Sequence, residues 1–167
     1  EGLLFSNDIS NSRAKALLKN LELAGAGNIC VSSETPEKLA RYFEGFFDKI
    51  LVDAPCSGEG MFRRDGDMVK SYSQKGPEYY SRIQYEIVSE AVKMLRPGGM
   101  MLYSTCTFDE EEHEGTIRRL LKQHDDFHLV TLEQQDGFKP GIGLSEFVRL
   151  FPHSHQGRAK FLALYTT

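Results

Sequence analysis

The stretch Ile50-Leu51-Val52-Asp53-Ala54-Pro55-Cys56-Ser57-Gly58 decides the fold class. Its apolar start closes a strand that begins at Phe46. Its Asp-Ala-Pro turn opens a loop, holding glycine and charge, that is expected to run to Ser73. A second stretch has the same build: Met100 to Tyr103 reads as a strand, and Ser104-Thr105-Cys106-Thr107 follows it directly. Between the two, Pro77 to Leu95 carries Tyr80, Ile83, Ile87, Val88, Ala91 and Leu95 at helical spacing, and Pro97-Gly98-Gly99 stops the helix. Strands separated by helices predict an α/β fold with a mostly parallel sheet, whose ligands bind beyond the carboxyl ends of the strands.

The alternation extends in both directions. Upstream, Leu3-Leu4-Phe5 reads as a strand ending at Asn7-Asp8. A helix follows with Ala14, Leu17, Leu18, Leu21 and Ala24 on one face, capped by Ser10 or Asn11 and stopped by Gly25 and Gly27. Ile29 to Val31 is a further strand, and Pro36 to Phe43 a short helix. Downstream, Asp109 to Lys122 reads as a helix with an acidic first turn and a basic last turn. Phe127 to Leu132 is a strand. Phe147–Phe151 and Phe161–Tyr165 suit a hairpin, which implies one antiparallel strand near an edge. Gly141-Ile142-Gly143 reads as a turn.

The 167 residues are one domain's worth, with 40% hydrophobic and 26% charged residues, enough for a core. Twenty Lys and Arg against 24 Asp and Glu give a net charge of −4, which excludes a uniformly basic nucleic-acid coat but not a local basic patch. No apolar run approaches the roughly 18 residues that span a membrane, so no membrane partner is expected. The start Glu1-Gly2-Leu3-Leu4-Phe5 has no basic flank or long apolar stretch of a signal peptide. The three cysteines, Cys30, Cys56 and Cys106, match no disulfide framework or zinc motif, and a reducing, cytoplasmic setting follows. His153 and His155 lack a nearby Cys or Asp to complete a ligand set, so no metal is expected.

Each of Cys56 and Cys106 closes a different strand of the expected sheet, so the two could meet above one edge. Asp53 stands beside the first. Asp8 ends the first strand, where an acidic residue either caps the next helix or holds the ribose hydroxyls of a nucleotide. Arg63, Arg64, Lys70, Lys75 and Arg82 make a locally basic stretch that suits either phosphate contact or plain exposed surface. Gly58-Glu59-Gly60 imitates the start of a dinucleotide fingerprint, but Arg63 stands where the third Gly belongs.

Asp53-Ala54-Pro55-Cys56-Ser57-Gly58 and Ser104-Thr105-Cys106-Thr107 resemble two signature motifs of the S-adenosylmethionine-dependent RNA cytosine-5 methyltransferases, the Nol1/Nop2/Sun family. Gln84, the Leu95-Arg96-Pro97-Gly98-Gly99 turn and the acidic run after Cys106 look like the same family, and Gly58 to Asp65 looks closest to its bacterial small-subunit ribosomal RNA branch. The resemblance covers nearly the whole chain. It implies a Rossmann-like class I methyltransferase fold, S-adenosylmethionine as cofactor, and an RNA substrate, with ribosomal RNA as the first candidate and transfer RNA as the other. A thiolate adding to carbon 6 of cytosine breaks the ring's conjugation and makes carbon 5 nucleophilic toward a sulfonium methyl. The residues themselves leave open which thiol attacks. The resemblance makes Cys106 the nucleophile, Cys56 the group that assists release, and Asp53 the partner of the cytosine edge. Asp8, Asp53, Pro55 and Ser33 then fall at cofactor positions, although Ser32-Ser33-Glu34-Thr35 stands where relatives carry an Asp facing the adenine. Arg63, Arg64 and Lys70 fall to RNA. His113 stands where relatives often have Asn and reads as tolerated surface variation. The competing class is a non-catalytic RNA- or ribosome-binding module that retains the fold.

Methyltransferases of this kind carry a Gly-rich cofactor loop after a central first strand. In this family it resembles Ala-Pro-Gly-Gly-Lys, and that motif is absent here. The expectation is an N-terminally truncated catalytic domain that begins at the second strand, with weak cofactor binding by the isolated chain.

Overall fold

A computed structural model describes residues 2–58, 66–132, 138–143, 145–150 and 160–166, the last segment and 66–74 by backbone alone. The chain divides into two compact units, Glu1–Tyr42 and Phe43–Thr167.

The first unit is a βαβ element followed by a helix. Strand β1 (Leu4–Asn7) and strand β2 (Ile29–Ser32) pair in parallel, with Leu4 opposite Ile29 and Asn7 opposite Ser32. Helix α1 (Asn11–Leu23) connects them, and helix α2 (Pro36–Tyr42) follows. Ser10 is the N-cap residue of α1, but its side chain makes no cap bond. The Ser10 N–H instead donates to Asp8 Oδ1 at 2.9 Å. Gly25 ends the helix at φ +75°, its N–H on the Glu22 carbonyl and that of Ala26 on the Leu21 carbonyl, a double bond pattern that satisfies the last turn. Of the expected apolar face of α1 only Ala14 is buried, and Leu18 is exposed.

The second unit holds a six-stranded sheet. Strand β3 (Phe47–Asp53) is its terminal strand and pairs in parallel with β4 (Leu95–Thr105). Helix α3 (Gly66–Met94) joins them. The expected loop to Ser73 is corrected here, since Gly66 onward is helical. The break lies at Gly76, whose φ of 69° and ψ of 170° interrupt the helix, with Pro77 beginning the second segment. Val88 and Ala91 of that segment are core, with Leu95 just beyond it. A π-helical turn (Glu111–Gly115) and helix α4 (Thr116–Leu121) come after β4, then strand β5 (His128–Val130).

Strands β6 (Phe138–Pro140), β7 (Val148–Leu150) and β8 (Lys160–Thr166) complete the sheet in the order β3-β4-β8-β7-β6, with β5 on β8. The terminal pair is the antiparallel hairpin expected, with Val148 opposite Leu162. Its last strand is not near an edge, however. β8 lies against β4 on one side, with Met101 opposite Tyr165, and against β5 and β7 on the other. The run Phe161–Tyr165 is mostly apolar, as suits an interior strand. β6 was not foreseen. The Gly141-Ile142-Gly143 turn is present, with Gly143 at φ +71°. No described helix is long and apolar enough to cross a membrane.

The conformation at Gly76 lies in a region open essentially to glycine alone. Gly76→Ala is therefore expected to destabilise the protein by about 1–3 kcal/mol, read from the midpoint shift in urea unfolding.

Candidate active site

β3 runs into Ala54-Pro55-Cys56, and β4 into Cys106-Thr107. Asp53 stands opposite Ser104, and the Ala54 N–H donates to the Ser104 carbonyl at 3.0 Å. Both chains therefore leave the sheet at the same height. The Cys56 and Cys106 Sγ atoms lie 3.0 Å apart, and the Cys106 N–H points at Cys56 Sγ at 3.4 Å. Ser57 and Thr107, the next residues, join their hydroxyls at 2.9 Å. Cys56 is buried and Cys106 half-buried. The hydrogen bond to Cys106, followed by burial, pushes the Cys56 thiol well up from its ordinary range. Burial and the contact with Cys106 thus favour the protonated form of Cys56.

Behind the thiols lies a polar network that joins Gln84 to the acidic run after Cys106, both singled out in the sequence though their contacts were not. Gln84, fully buried on the core face of α3, donates from Nε2 to the Pro55 carbonyl at 2.9 Å and to Glu112 Oε2 at 2.8 Å. The Ser57 N–H donates to the same Glu112 oxygen at 3.0 Å. Glu112 is fully buried, and desolvation raises its carboxyl above the ordinary range against the bonds from Ser57 and Gln84. A Gln interrupting an apolar helical stripe was the available signal.

The π-helical turn turns three consecutive residues inward: Glu112, His113 and Glu114 are all buried. His113 is thus not surface variation. It is 1% exposed and its Nε2 meets Thr105 Oγ1 at 2.6 Å. Burial, with Arg149 adding to it, lowers its pKa to about 2, so the ring is neutral. Glu114 forms a buried two-pronged ion pair with Arg149, one bond at 3.0 Å from Nε and another from Nη2, and accepts the Ile142 N–H at 2.8 Å. The acidic first turn read from sequence is partly this inward-facing set.

Other expected residues fall as follows. Asp53 is exposed at the end of β3, and Pro55 is exposed beside it. In the first unit, Asp8 accepts the Ser10 N–H just ahead of α1 and pairs with Arg13 Nε at 2.9 Å. Ser33 Oγ donates to the Ile9 carbonyl at 3.2 Å. Asn7, also missed, knits the two strand ends together: its Oδ1 accepts from Ser32 Oγ at 2.7 Å and the Glu34 N–H at 3.0 Å, and its Nδ2 donates to the Glu34 carbonyl. Arg63, Arg64, His153 and His155 lie outside the described residues. Lys70 lies on α3, described by backbone alone. Tyr80, expected in the core, is half-buried with its ring edge-on to Tyr79.

A family model described as 16S rRNA methyltransferase RsmB/F matches residues 1–166. Ribosomal RNA small subunit methyltransferase F of Vibrio vulnificus (strain YJ016) is 33% identical over 167 residues, covering 98% of this chain and 35% of the relative. The protein of the same name from Erwinia tasmaniensis is 32% identical over 166 residues, covering 97% of this chain and 34% of its own length. Among solved structures, NSun6 from Pyrococcus horikoshii with SFG aligns at a TM-score of 0.85 and 29% identity, over 99% of this chain and 41% of its own. A methyltransferase homolog protein from the same organism aligns at 0.77 and 27% identity, over 99% and 53%. The chain spans about a third of the length of the curated relatives it matches.

The neutral, buried His113 ties stability to pH. Its folded pKa lies below the unfolded value of 6.5, so its contribution is complete above pH 6.5 and is lost as pH falls toward 2. The expected loss from this one group approaches about 1.4 kcal/mol per pH unit below 6.5. Urea unfolding at stepped pH measures it, and His113→Asn should remove that slope.

Proposed function

Because the chain belongs to the 16S rRNA methyltransferase RsmB/F family, we propose that it carries the thiol pair of an enzyme that transfers a methyl group from S-adenosylmethionine to carbon 5 of a cytosine in small-subunit ribosomal RNA. The observation that carries this reading is the 3.0 Å approach of Cys56 and Cys106 at the carboxyl ends of two adjacent parallel strands. A single structural cysteine needs no such partner. A cytoplasmic setting goes with that substrate and with the free thiols of Cys30, Cys56 and Cys106.

Taken unit by unit, the residues assigned to the cofactor have suitable donors and acceptors. Asp8 follows β1 and has lone pairs left for ribose hydroxyls beyond its bonds to Ser10 and Arg13. Asp53 and Pro55 stand exposed at the end of β3, and Ser33 follows β2 with a hydroxyl. S-adenosylmethionine, when bound, supplies an electrophilic methyl group on a sulfonium.

The protein's own residues do the rest. Cys106, as thiolate, forms the bond to carbon 6 of the target cytosine, and the ring electrons move toward nitrogen 3, where Asp53 stabilises the protonated form. Carbon 5 then takes the methyl. Its proton leaves to a base, the carbon 5–carbon 6 double bond reforms, and the bond to Cys106 breaks with the electron pair returning to sulfur. Cys56, which sits against that sulfur, assists this release. The target base must leave its stack to be attacked from the side. Arg63, Arg64 and Lys70 contact RNA phosphates.

We also propose that residues outside this chain complete the catalytic sheet. β3 is the terminal strand of its sheet, and Leu51 on it is 68% exposed, although parallel strands are ordinarily covered on both sides.

Two expected outcomes test these readings. In the full-length protein given ribosomal RNA and cofactor, Cys56→Ala accumulates a trapped protein–RNA adduct while turnover falls about 10²–10⁴-fold, and Cys106→Ala forms no adduct. The reverse pattern exchanges the roles, methylation of transfer RNA alone moves the substrate, and no methyl transfer by the full-length protein favours a non-catalytic RNA-binding module. By calorimetry, this chain alone binds S-adenosylmethionine more weakly than the full-length protein. Equal affinity removes the need for a completing segment.

A further inference from the structure

We propose that Gln84 and Glu112 are positioning residues, a buried clamp that sets the direction of the Cys56 side chain for the release step; this rests on the thiol chemistry proposed above. The geometry is specific to Cys56. The Pro55 carbonyl belongs to the peptide plane on its N-terminal side, and the Ser57 N–H to the plane on its C-terminal side. The mutual orientation of these planes about the Cys56 Cα is what φ and ψ describe. Gln84 Nε2 holds the first plane at 2.9 Å and Glu112 Oε2 the second at 3.0 Å, and the two side chains are themselves joined at 2.8 Å. The backbone of Cys56 is thereby pinned from both sides, leaving one side-chain torsion to bring its sulfur 3.0 Å from Cys106.

The residue types suit the task. A primary amide nitrogen has two N–H groups, enough for a carbonyl and a carboxylate together. A carboxylate oxygen accepts two donors. Both side chains are fully buried, so neither bond competes with water. Glu112 Oε1 has no partner among the described residues. Among the described residues the carboxylate is therefore buried with one oxygen unpaired, a cost that a purely structural position would avoid by carrying an apolar side chain. Glu112 follows Cys106 by six residues and Gln84 belongs to α3, so the clamp also ties the loop of the releasing thiol to the segment that carries the attacking one.

The test uses the full-length protein. Glu112→Ala and Gln84→Met are expected to attack ribosomal RNA near the wild-type rate but to release product about 100-fold more slowly, the penalty for an ångström-scale misplacement, so that they accumulate the adduct that wild type resolves. Glu112→Gln keeps an oxygen for the Ser57 N–H and is expected to restore release to within about tenfold of wild type. A second readout needs no RNA: iodoacetamide labelling with peptide mapping is expected to modify Cys56 about tenfold faster in Glu112→Ala than in wild type. Should Glu112→Ala fail to fold, Gln84→Met preserves the side-chain volume and carries both readouts. A folded variant that labels Cys56 and releases product at wild-type rates overturns the clamp, as does equal loss of adduct formation and release. If wild type transfers no methyl group and Cys56→Ala traps no adduct, the methyl-transfer reading fails, and the labelling rates still decide whether the clamp exists.

Discussion

In the ladder between β3 and β4, Asp53 stands opposite Ser104, and the Ala54 N–H continues the pairing by one more bond to the Ser104 carbonyl. This register places the loop after one strand beside the loop after the other. A strand advances about 3.3 Å per residue, so a slip of a single position would move one sulfur past the other by more than their whole separation. It would also exchange the inward and outward faces of β4, where Met101 and Tyr103 are core. The alternating burial of Met100 to Tyr103 thus protects the alignment of the thiols, and the core and the site share one constraint.

Around that ladder the second unit buries an unusual amount of polarity. Gln84, Glu112, His113, Glu114 and Arg149 are all buried, against a core that includes Val88, Met101, Tyr103, Ile117, Leu120 and Phe147. The charges are handled by pairing and hydrogen bonding. Arg149 meets Glu114 with two nitrogens and gives a third to the Phe108 carbonyl at 2.9 Å. Removing one member of such a pair typically costs about 3–5 kcal/mol, because the other charge is left buried without its partner. Arg149 lies on β7 and Glu114 on the π-helical turn, so the pair fastens the antiparallel end of the sheet to the segment that follows Cys106. The wider turn makes this feasible. Three consecutive residues cannot all face inward on one side of an ordinary surface helix, whose apolar stripe recurs at three- and four-residue spacing.

Much of the fold was legible in local pattern. The strands at Leu4–Asn7, Ile29–Ser32 and Phe47–Asp53, the helix after Pro77 and the terminal hairpin follow from apolar runs, helical spacing and Gly or Pro stops. These signals act over a few residues. The helical segment before Gly76 was missed because Gly66-Asp67 and the charged residues around it resemble a loop, and nothing in its pattern marks a buried face. The interior place of β8 was missed because a strand's sheet neighbours lie far away in sequence. In the site, Asp53, Cys56 and Cys106 could be named from their places after apolar strands. Their contact could only be suspected, and His113 was misread because an acidic run ordinarily marks a solvated surface.

By itself the sequence determined the α/β alternation, the two cysteine loops and their place at strand ends, because hydrophobic period and turn chemistry are written in neighbouring residues. Only the tertiary structure decided that Cys56 and Cys106 stand 3.0 Å apart, that Gln84 and Glu112 close on the peptides flanking Cys56, and that Glu114 and Arg149 are one buried pair. Those contacts join residues 28 to 50 or more positions apart. At such separations strand register and burial choose the partners, and no local composition encodes either.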